Sequence, residues 1–403
     1  MRYPEFLKEN GTIGVIAPSF GCATEPYISC MAAATDWIKS QGYTIVEGPN
    51  CHKADGLGIS SSPENCGREL TDFYLSSEND MLLTCGGGEL MCETVDFIDF
   101  EGIKKAAPKW YMGYSDNTNF TFLSNILCDT AAIYGPSIGA FGAHEKHQCL
   151  QDTWELLKGN KLTQSGYPLY EKESLKSEDN PYAGINATEQ KILKIFEGTK
   201  ELIPSTTSSC SAPVAPEQPL GTTYSAPVAP DQTLVTTYSA PVPPDQTLVT
   251  TYSAPMLPEQ TLVTIEGRLT GGCLDCLANL VGTRYDKVKK FNKKYASDKI
   301  IWFLEACDLS TMAIRRAIWN LDRAGWFENA SGFIIGRPLA AFGTDFCGVD
   351  QYNAVHGILG KYNVPIIMDA DIGHISPTIP LISGAYTKVT ANTANLTVEH
   401  LLK

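Results

Sequence analysis

The sequence predicts an α/β protein of two α/β domains, an N-terminal one built on a parallel sheet and a smaller C-terminal one, with a proline-rich insertion. Short apolar runs alternate with helical stretches over the first 150 residues, and the same pattern resumes from Gly267. Between about Leu202 and Thr264 the composition changes to tandem proline-containing repeats. Strands that alternate with helices indicate βαβ units and a parallel sheet. A chain of 403 residues has room for two such domains.

The N-terminal domain begins with a buried strand at 12–18, because this segment is apolar and closes at a proline. The elements that follow are a helix at about 27–41, a strand at 43–47, strands at 81–85 and 110–114, and a helix at about 117–127. We interpret this order as a Rossmann-like or flavodoxin-like parallel sheet. Such sheets bind ligands at the carboxyl ends of their strands, which is where Gly86-Gly87-Gly88 and Ser115 fall.

The C-terminal domain repeats this alternation. The apolar run 299–305 predicts a strand that ends on the acidic Glu305. A helix follows, with the N-cap candidates Asp308, Ser310 and Thr311, apolar residues at 314, 318 and 321, and Gly325 at its end. Two more strands are predicted at 332–336 and 364–368. The predicted division is therefore 1–165 for the first domain, 166–264 for a connecting segment and 265–403 for the second domain.

The connecting segment contains four 14-residue copies over 211–264, which begin at Ser211, Ser225, Ser239 and Ser253. Each copy holds two or three prolines and only one short apolar cluster. This composition predicts a flexible or extended polyproline-like insertion rather than a solenoid. We assign it no chemistry.

Composition narrows the class of function. With 31 basic and 45 acidic residues the formal charge is −14, which argues against a nucleic-acid partner. No apolar stretch is long enough to span a membrane, and the N-terminus lacks the apolar segment of a signal peptide. The thirteen cysteines are therefore interpreted as reduced thiols, and we expect a cytoplasmic protein without a membrane partner.

The sharpest local signal is Gly113-Tyr114-Ser115-Asp116, which lies where a predicted strand meets a predicted helix. A serine on such a turn projects its hydroxyl from the top of the sheet, and the next backbone amide can stabilise an oxyanion. The segment lacks the second glycine of the hydrolase elbow. Taken alone, Ser115 is therefore either a helix N-cap or a nucleophile.

A nucleophilic serine needs a base, and the base needs an orienting acid. His374 stands in a loop after the strand predicted at 364–368, which suits a catalytic imidazole. A loop histidine bonded to a backbone carbonyl is the alternative. Glu305 is either an orienting carboxylate or a solvent-facing group at the end of its strand.

Taken together, these segments resemble the LD-carboxypeptidase family of serine peptidases. The resemblance rests on Gly113-Tyr114-Ser115-Asp116, Phe303-Leu304-Glu305 and Gly373-His374 with Pro377, in that order. It extends to the motifs at 11–19, 86–88, 267–272 and 336–337, and covers everything except the repeats.

The resemblance implies a role for each matching residue. Ser115 would be the nucleophile, His374 the general base and then acid, and Glu305 the carboxylate that orients it. The backbone amides of Gly87 and Asp116 would form the oxyanion hole, and Gly88, Gly271 and Gly272 would contact substrate. The resemblance also implies a homodimer and neither a metal nor an organic cofactor.

The implied function is hydrolysis of an amide bond in a small peptide-derived substrate through an acyl-enzyme, of the LD-carboxypeptidase type. One branch of the family removes D-alanine from the murein tetrapeptide, and the microcin C immunity branch cuts an aspartyl-nucleotide amide. The segments 133–137 and 85–89 look closer to the second branch. A non-catalytic peptide-binding protein and a cysteine amidase that uses Cys85 are the alternatives. Cys273 and Cys276 have redox spacing but no second pair, so no zinc site is expected.

Overall fold

A computed structural model describes residues 1–202 and 263–403, which belong to one structural unit. The repeats predicted over 211–264 lie outside the described residues, except for their last two positions. Among the described helices, none is both long and apolar enough to cross a membrane.

The described strands fall into two large sheets and two small ones. In chain order they are β1 Thr12–Ile16, β2 Thr44–Glu47, β3 Met81–Thr84, β4 Trp110–Gly113, β5 Ala132–Tyr134, β6 Thr163–Ser165, β7 Leu169–Glu171, β8 Ala187–Gln190, β9 Lys194–Glu197, β10 Lys200–Glu201, β11 Val263–Cys273, β12 Ile300–Glu305, β13 Ala330–Gly336, β14 Asp345–Phe346, β15 Val349–Asp350, β16 Pro365–Ala370, β17 Leu381–Ser383, β18 Tyr386–Ala391 and β19 Leu396–Leu401.

The helices connect these strands. In chain order they are α1 Tyr27–Ser40, α2 Pro63–Leu75, α3 Met91–Thr94, α4 Phe100–Lys105, α5 Thr118–Cys128, α6 Gln148–Leu157, α7 Leu274–Leu280, α8 Val288–Lys294, α9 Thr311–Arg323 and α10 Asn353–Leu359. Short 3-10 turns occur at Val95–Phe97, Ser115–Asn117, Ile138–Gly142 and Gly360–Tyr362.

The first large sheet has the order β17-β5-β4-β3-β1-β2. Strands β1 to β5 pair in parallel in the order 2-1-3-4-5, which is that of flavodoxin-like sheets. Strand β17 adds an antiparallel edge. The sheet changes direction between β1 and β3, so the loops after β1, β3 and β4 meet at the place where such sheets bind ligands.

The second large sheet has nine strands in the order β10-β9-β16-β13-β12-β11-β18-β19-β6. Its centre, β11, β12, β13 and β16, is parallel, and antiparallel strands flank it on both sides. The carboxyl ends of β12 and β16 therefore lie at the same edge of this sheet, where Glu305 and the loop with His374 are found.

Both sheets are covered on their two faces. Side chains alternate across a strand, and on β12 Ile301 and Phe303 enter one apolar cluster while Trp302 and Leu304 enter the other. All six residues of β12 are buried. Such continuous apolar strands are typical of parallel sheets with helices on each face, which explains the apolar run that predicts this strand.

The predicted fold class is confirmed, since a parallel N-terminal sheet and a second α/β domain are both present. The first strand is shorter than predicted and ends at Ile16. Helix α9 begins after Ser310, whose hydroxyl accepts a hydrogen bond from the Ala313 amide. The domain boundaries at about residues 165 and 264 stay a prediction, and strands β6 and β17 each pair in the sheet built mainly by the other part of the chain.

Candidate active site

Ser115 lies at the turn between β4 and α5, as the first residue of a 3-10 turn. Its φ angle is +61°, a left-handed conformation that non-glycine residues rarely adopt. Strain of this kind is concentrated at functional sites, where the surrounding structure holds a side chain in a required direction. The backbone therefore presents the serine hydroxyl at the carboxyl end of the sheet.

His374 faces this hydroxyl. It lies in the loop after β16, and its Nε2 atom is 2.8 Å from Ser115 Oγ. The opposite ring nitrogen, Nδ1, is 2.8 Å from Oε2 of Glu305. With Nδ1–H donating to the carboxylate, Nε2 accepts the serine hydroxyl proton.

Glu305 ends β12 and is 1% exposed. Burial alone would raise its pKa, yet His374 and Tyr134 hold the pKa of Glu305 below its ordinary value. Burial alone would lower the pKa of His374, but the carboxylate of Glu305 raises it above the ordinary histidine value. The pair thus favours a carboxylate beside an imidazolium once a proton has moved to the ring.

Tyr134, at the end of β5, ties the serine to the carboxylate. Its hydroxyl donates to Oε1 of Glu305 at 2.5 Å and accepts a hydrogen bond from the Ser115 amide at 3.1 Å. It is 2% exposed. We did not predict this role from the sequence. The available signal is a tyrosine at the carboxyl end of a strand. Its partner, Glu305, belongs to the second sheet, so the sequence does not show their contact.

The close approach of Glu305 and His374 depends on a glycine. Gly373 has a φ angle of +97°, and a Cβ atom there would lie 2.5 Å from Oε2 of Glu305. Any other residue would therefore push the carboxylate away from the imidazole.

The loop that carries His374 is anchored by a buried ion cluster. Asp371, three residues earlier, accepts hydrogen bonds from Arg337 Nη2 at 2.6 Å and Lys191 Nζ at 2.8 Å. It also accepts one from the Tyr167 amide at 2.8 Å. All three charged side chains are at most 1% exposed. Because buried charges are costly unless they are paired, this cluster fixes the start of the loop.

The two predicted oxyanion-hole residues lie beside the serine. A Cβ atom built on Gly87 would lie 3.1 Å from Ser115 Oγ and 4.0 Å from the Asp116 nitrogen. Among the described residues, neither of these two amides donates to an acceptor. Two hydrogen bonds hold the Asp116 side chain in place, because its carboxylate accepts from the Ser19 hydroxyl and the Met91 amide. Burial raises the pKa of this carboxyl group.

The predicted substrate-contacting glycines separate into two groups. Gly88 lines a cavity together with Ser115. Gly271 and Gly272 do not line it, and a Cβ on them would meet the Phe303 backbone and the Thr118 side chain. The structure therefore places them at close contacts of β11 with its neighbours.

The alternative nucleophile, Cys85, is 3% exposed, and its thiol contacts Met31 Sδ and the Cys51 carbonyl. Its contacts with the Cys22 and Cys51 thiols and its burial raise its pKa well above the ordinary thiol value, which disfavours the reactive thiolate. Within residues 1–202 and 263–403, no group of His, Cys, Asp or Glu is arranged to hold a metal ion.

A hydroxyl, an imidazole and a buried carboxylate in this order can activate the hydroxyl for attack on a carbonyl carbon. The imidazole accepts the hydroxyl proton, and the carboxylate stabilises the resulting cation. The geometry therefore permits acyl transfer, and the assignment of these roles to Ser115, His374 and Glu305 stays a prediction.

Two family models match the chain. The model of the LD-carboxypeptidase N-terminal domain matches residues 13–135, and that of the LD-carboxypeptidase C-terminal domain matches residues 266–389. In sequence the chain is 29% identical over 147 residues to a Vibrio cholerae protein named "Putative carboxypeptidase". This match spans 36% of the chain and 42% of that relative.

Solved structures share the fold. The microcin C7 self immunity protein MccF, in its wild-type apo state, is 17% identical with a TM-score of 0.67, over 99% of this chain and 98% of that one. An MccF-like protein from Bacillus anthracis is 16% identical with a TM-score of 0.68 over all of both chains. One from Streptococcus pneumoniae, in complex with AMP, is 17% identical with a TM-score of 0.65, over 97% of this chain and 99% of that one. MccF structures have also been solved with glutamyl sulfamoyl guanosine and aspartyl sulfamoyl adenosine.

Proposed function

The chain belongs to the LD-carboxypeptidase family, and on this basis we propose that it is a serine peptidase that hydrolyses an amide bond in a small peptide-derived substrate. The observation that carries the proposal is the hydrogen-bonded series from Ser115 through His374 to Glu305, with 2.8 Å at both steps. Its members come from three strand ends of two sheets.

In the proposed reaction the Ser115 oxygen attacks the amide carbonyl carbon, while Nε2 of His374 takes the hydroxyl proton. His374 then gives this proton to the leaving amine, the carbon–nitrogen bond breaks, and an acyl-enzyme remains. Water, deprotonated by His374, attacks the acyl carbon and releases the acid and Ser115. Glu305 keeps the ring in the correct tautomer and stabilises the imidazolium.

The carbonyl oxygen gains negative charge during both attacks, so it needs nearby donors. We assign this donor role to the backbone amides of Gly87 and Asp116, which lie beside the serine. Neither amide donates a hydrogen bond to an acceptor in the described part of the chain. Gly88, in the cavity wall, would contact the bound substrate.

The proposed reaction is that of an LD-carboxypeptidase. The second candidate is a microcin C immunity-type peptidase that cleaves an aspartyl-nucleotide amide. It is supported by the fold shared with MccF, structures of which hold aminoacyl sulfamoyl nucleosides. A homodimer, which the family resemblance implies, is part of the proposal and can be tested by sedimentation.

Hydrolysis of an L,D-tetrapeptide and of an aspartyl-adenylate amide by the purified chain tests the proposal and separates the two candidates. Ser115→Ala should lower turnover by about a thousandfold or more. Wild-type turnover in that variant would contradict the serine mechanism. A third outcome is that the wild-type chain binds the tetrapeptide or the aspartyl-adenylate amide, does not hydrolyse it, and does not react with a fluorophosphonate at Ser115. In that case the non-catalytic binding protein is the correct interpretation.

A further inference from the structure

The cavity beside Ser115 has a strongly acidic wall. Its volume is about 140 Å³, and it opens next to the nucleophile and Gly88. Four of its twelve lining residues are acidic, Glu89, Asp116, Asp275 and Asp308, and none is Lys or Arg. The repeat segment cannot supply the missing positive charge, because residues 203–262 contain no Lys, Arg or His.

Two of the four carboxylates are already used by the fold. Asp116 accepts from the Ser19 hydroxyl and the Met91 amide. Asp275 accepts from the backbone amides of Cys307 and Asp308 at 3.1 and 3.0 Å. These two acids contribute negative potential to the cavity, but their oxygen atoms have protein partners.

The other two carboxylates, Glu89 and Asp308, are exposed at the cavity and have no basic partner among the described residues. Asp308 accepts only a long contact from the Cys307 thiol, at 3.6 Å. Burial and the nearby acids, Asp308 first among them, raise the pKa of Glu89 against the lowering effect of His374, as expected for like charges that face one cavity. A bound cation would remove this repulsion.

Asn119 supplies an independent observation on the inner wall. Its side chain is 1% exposed, and its Nδ2 atom donates to the backbone and carboxylate oxygens of Asp116. Its Oδ1 atom has no hydrogen-bond partner in the described part of the chain. A buried acceptor without a donor is costly, so this atom is suited to an N–H group that the substrate or an ordered water would bring.

We propose that this cavity recognises a positively charged amino group on the acyl part of the substrate, with Glu89 and Asp308 as the specificity-determining carboxylates. The inference rests on the proposed serine peptidase function and names the class of its substrate: a compound that carries an ammonium group near the bond that is cut. A free carboxylate at the same place would meet four acids and neither Lys nor Arg among the lining residues, so an acidic acyl group is disfavoured.

Activated esters test this recognition without knowledge of the natural substrate. We would compare the thiobenzyl esters of L-alanine and N-acetyl-L-alanine, and those of Nα-acetyl-L-lysine and Nα-acetyl-L-norleucine, at about pH 7, where the free amines are mostly charged. Each kcat/KM value is divided by the rate of hydroxide hydrolysis of the same ester. Ser115→Ala gives the background rate.

At least one charged ester should be preferred by about tenfold over its neutral partner, which is the order of one partly screened charge pair. The double variant Glu89→Gln with Asp308→Asn should reduce this preference to near unity, while the matched control Glu64→Gln, an exposed acid on α2, should keep it. Both substituted residues are exposed, so the variant is expected to fold.

Equal corrected rates within both pairs, or a preference that the double variant retains, would overturn the recognition proposal and leave the serine peptidase intact. Failure of every ester to exceed the Ser115→Ala background would instead overturn the proposed function, and this inference with it. The two failures are therefore distinguishable.

Discussion

The variant Glu305→Gln removes the negative charge beside His374 and leaves the size of the side chain almost unchanged. Burial makes the substitution informative, because Glu305 is 1% exposed and its two oxygens have hydrogen-bonding side chains of His374 and Tyr134 beside them. The Tyr134 hydroxyl donates to Oε1, so the amide oxygen of the glutamine should take that position and place its NH₂ group towards His374. Nδ1 then becomes the acceptor and the proton moves to Nε2, where it blocks removal of the Ser115 proton.

The magnitude follows from the 2.8 Å separation of Glu305 Oε2 and His374 Nδ1. Two unit charges at that distance attract by about 6 kcal/mol at an effective dielectric constant of about 20. The cost of desolvating the buried imidazolium offsets much of this attraction. We therefore expect the pKa of His374 to fall by about one to two pH units, which is about 1.4 to 2.7 kcal/mol.

The sign of the pH effect is set by the base. His374 must be neutral to accept the Ser115 proton, so activity is lost as the pH falls through the pKa of His374. Glu305 raises this pKa, which puts the acid limb of the wild-type profile above the ordinary histidine value of 6.5. Removing the charge should shift that limb to lower pH. The wrong tautomer should lower the plateau of kcat/KM about a hundredfold to ten-thousandfold.

The assay is the dependence of kcat/KM on pH for N-acetyl-L-alanine thiobenzyl ester, which has no titrating group of its own. Glu266→Gln is the matched control, because Glu266 is exposed and also accepts a hydrogen bond from a tyrosine, at 3.2 Å from Tyr386. An acid limb at the same pH in Glu305→Gln and in the wild type would refute the reasoning. So would a plateau that equals that of the control.

Three further substitutions test the surroundings of the triad. Gly87→Ala places a methyl group 3.1 Å from Ser115 Oγ, so esterase kcat should fall at least tenfold at unchanged melting temperature. Tyr134→Phe leaves the buried carboxylate without its donor and should cost about 1 to 3 kcal/mol in the free energy of unfolding by urea titration, together with a lower kcat. Arg337→Met leaves Asp371 buried and only partly paired, and should destabilise the chain by about 3 to 5 kcal/mol in the same titration.

Each candidate site residue has a local signal in the sequence, which by itself leaves its role open. The buried strand β12 is a continuous apolar run, and Glu305 interrupts it at its end. Ser115 stands where a strand changes into a helix, and His374 lies in the loop after another strand. That these side chains meet is not a local property. The prediction that they meet rests on the order of motifs shared with a family. Local patterns cannot supply it, because the parallel pairing that brings the ends of β12 and β16 to one edge joins distant parts of the chain.

The partners of the site could not be predicted for the same physical reason. Tyr134 contacts Glu305 across 171 residues, and Lys191 reaches Asp371 across 180. Hydrogen bonds of this kind depend on the packing of one sheet edge against another, and no periodicity in the sequence reports them. The acidic cavity is a similar case, because Glu89 lies in the loop after β3 and Asp308 in the loop after β12, and these strands belong to different sheets.

The negative charge of the cavity opposes the negative charge that the proposed reaction creates, and the last prediction follows from this repulsion. Formation of the tetrahedral intermediate places a negative charge on the substrate oxygen, within a cavity that Glu89, Asp308 and two further acids already make negative. A substrate ammonium would offset that potential most strongly when the oxyanion forms. We therefore expect its effect in the ester series to appear in kcat as well as in KM. A preference confined to KM would mean that the carboxylates only bind the ammonium and do not influence the reacting carbonyl group.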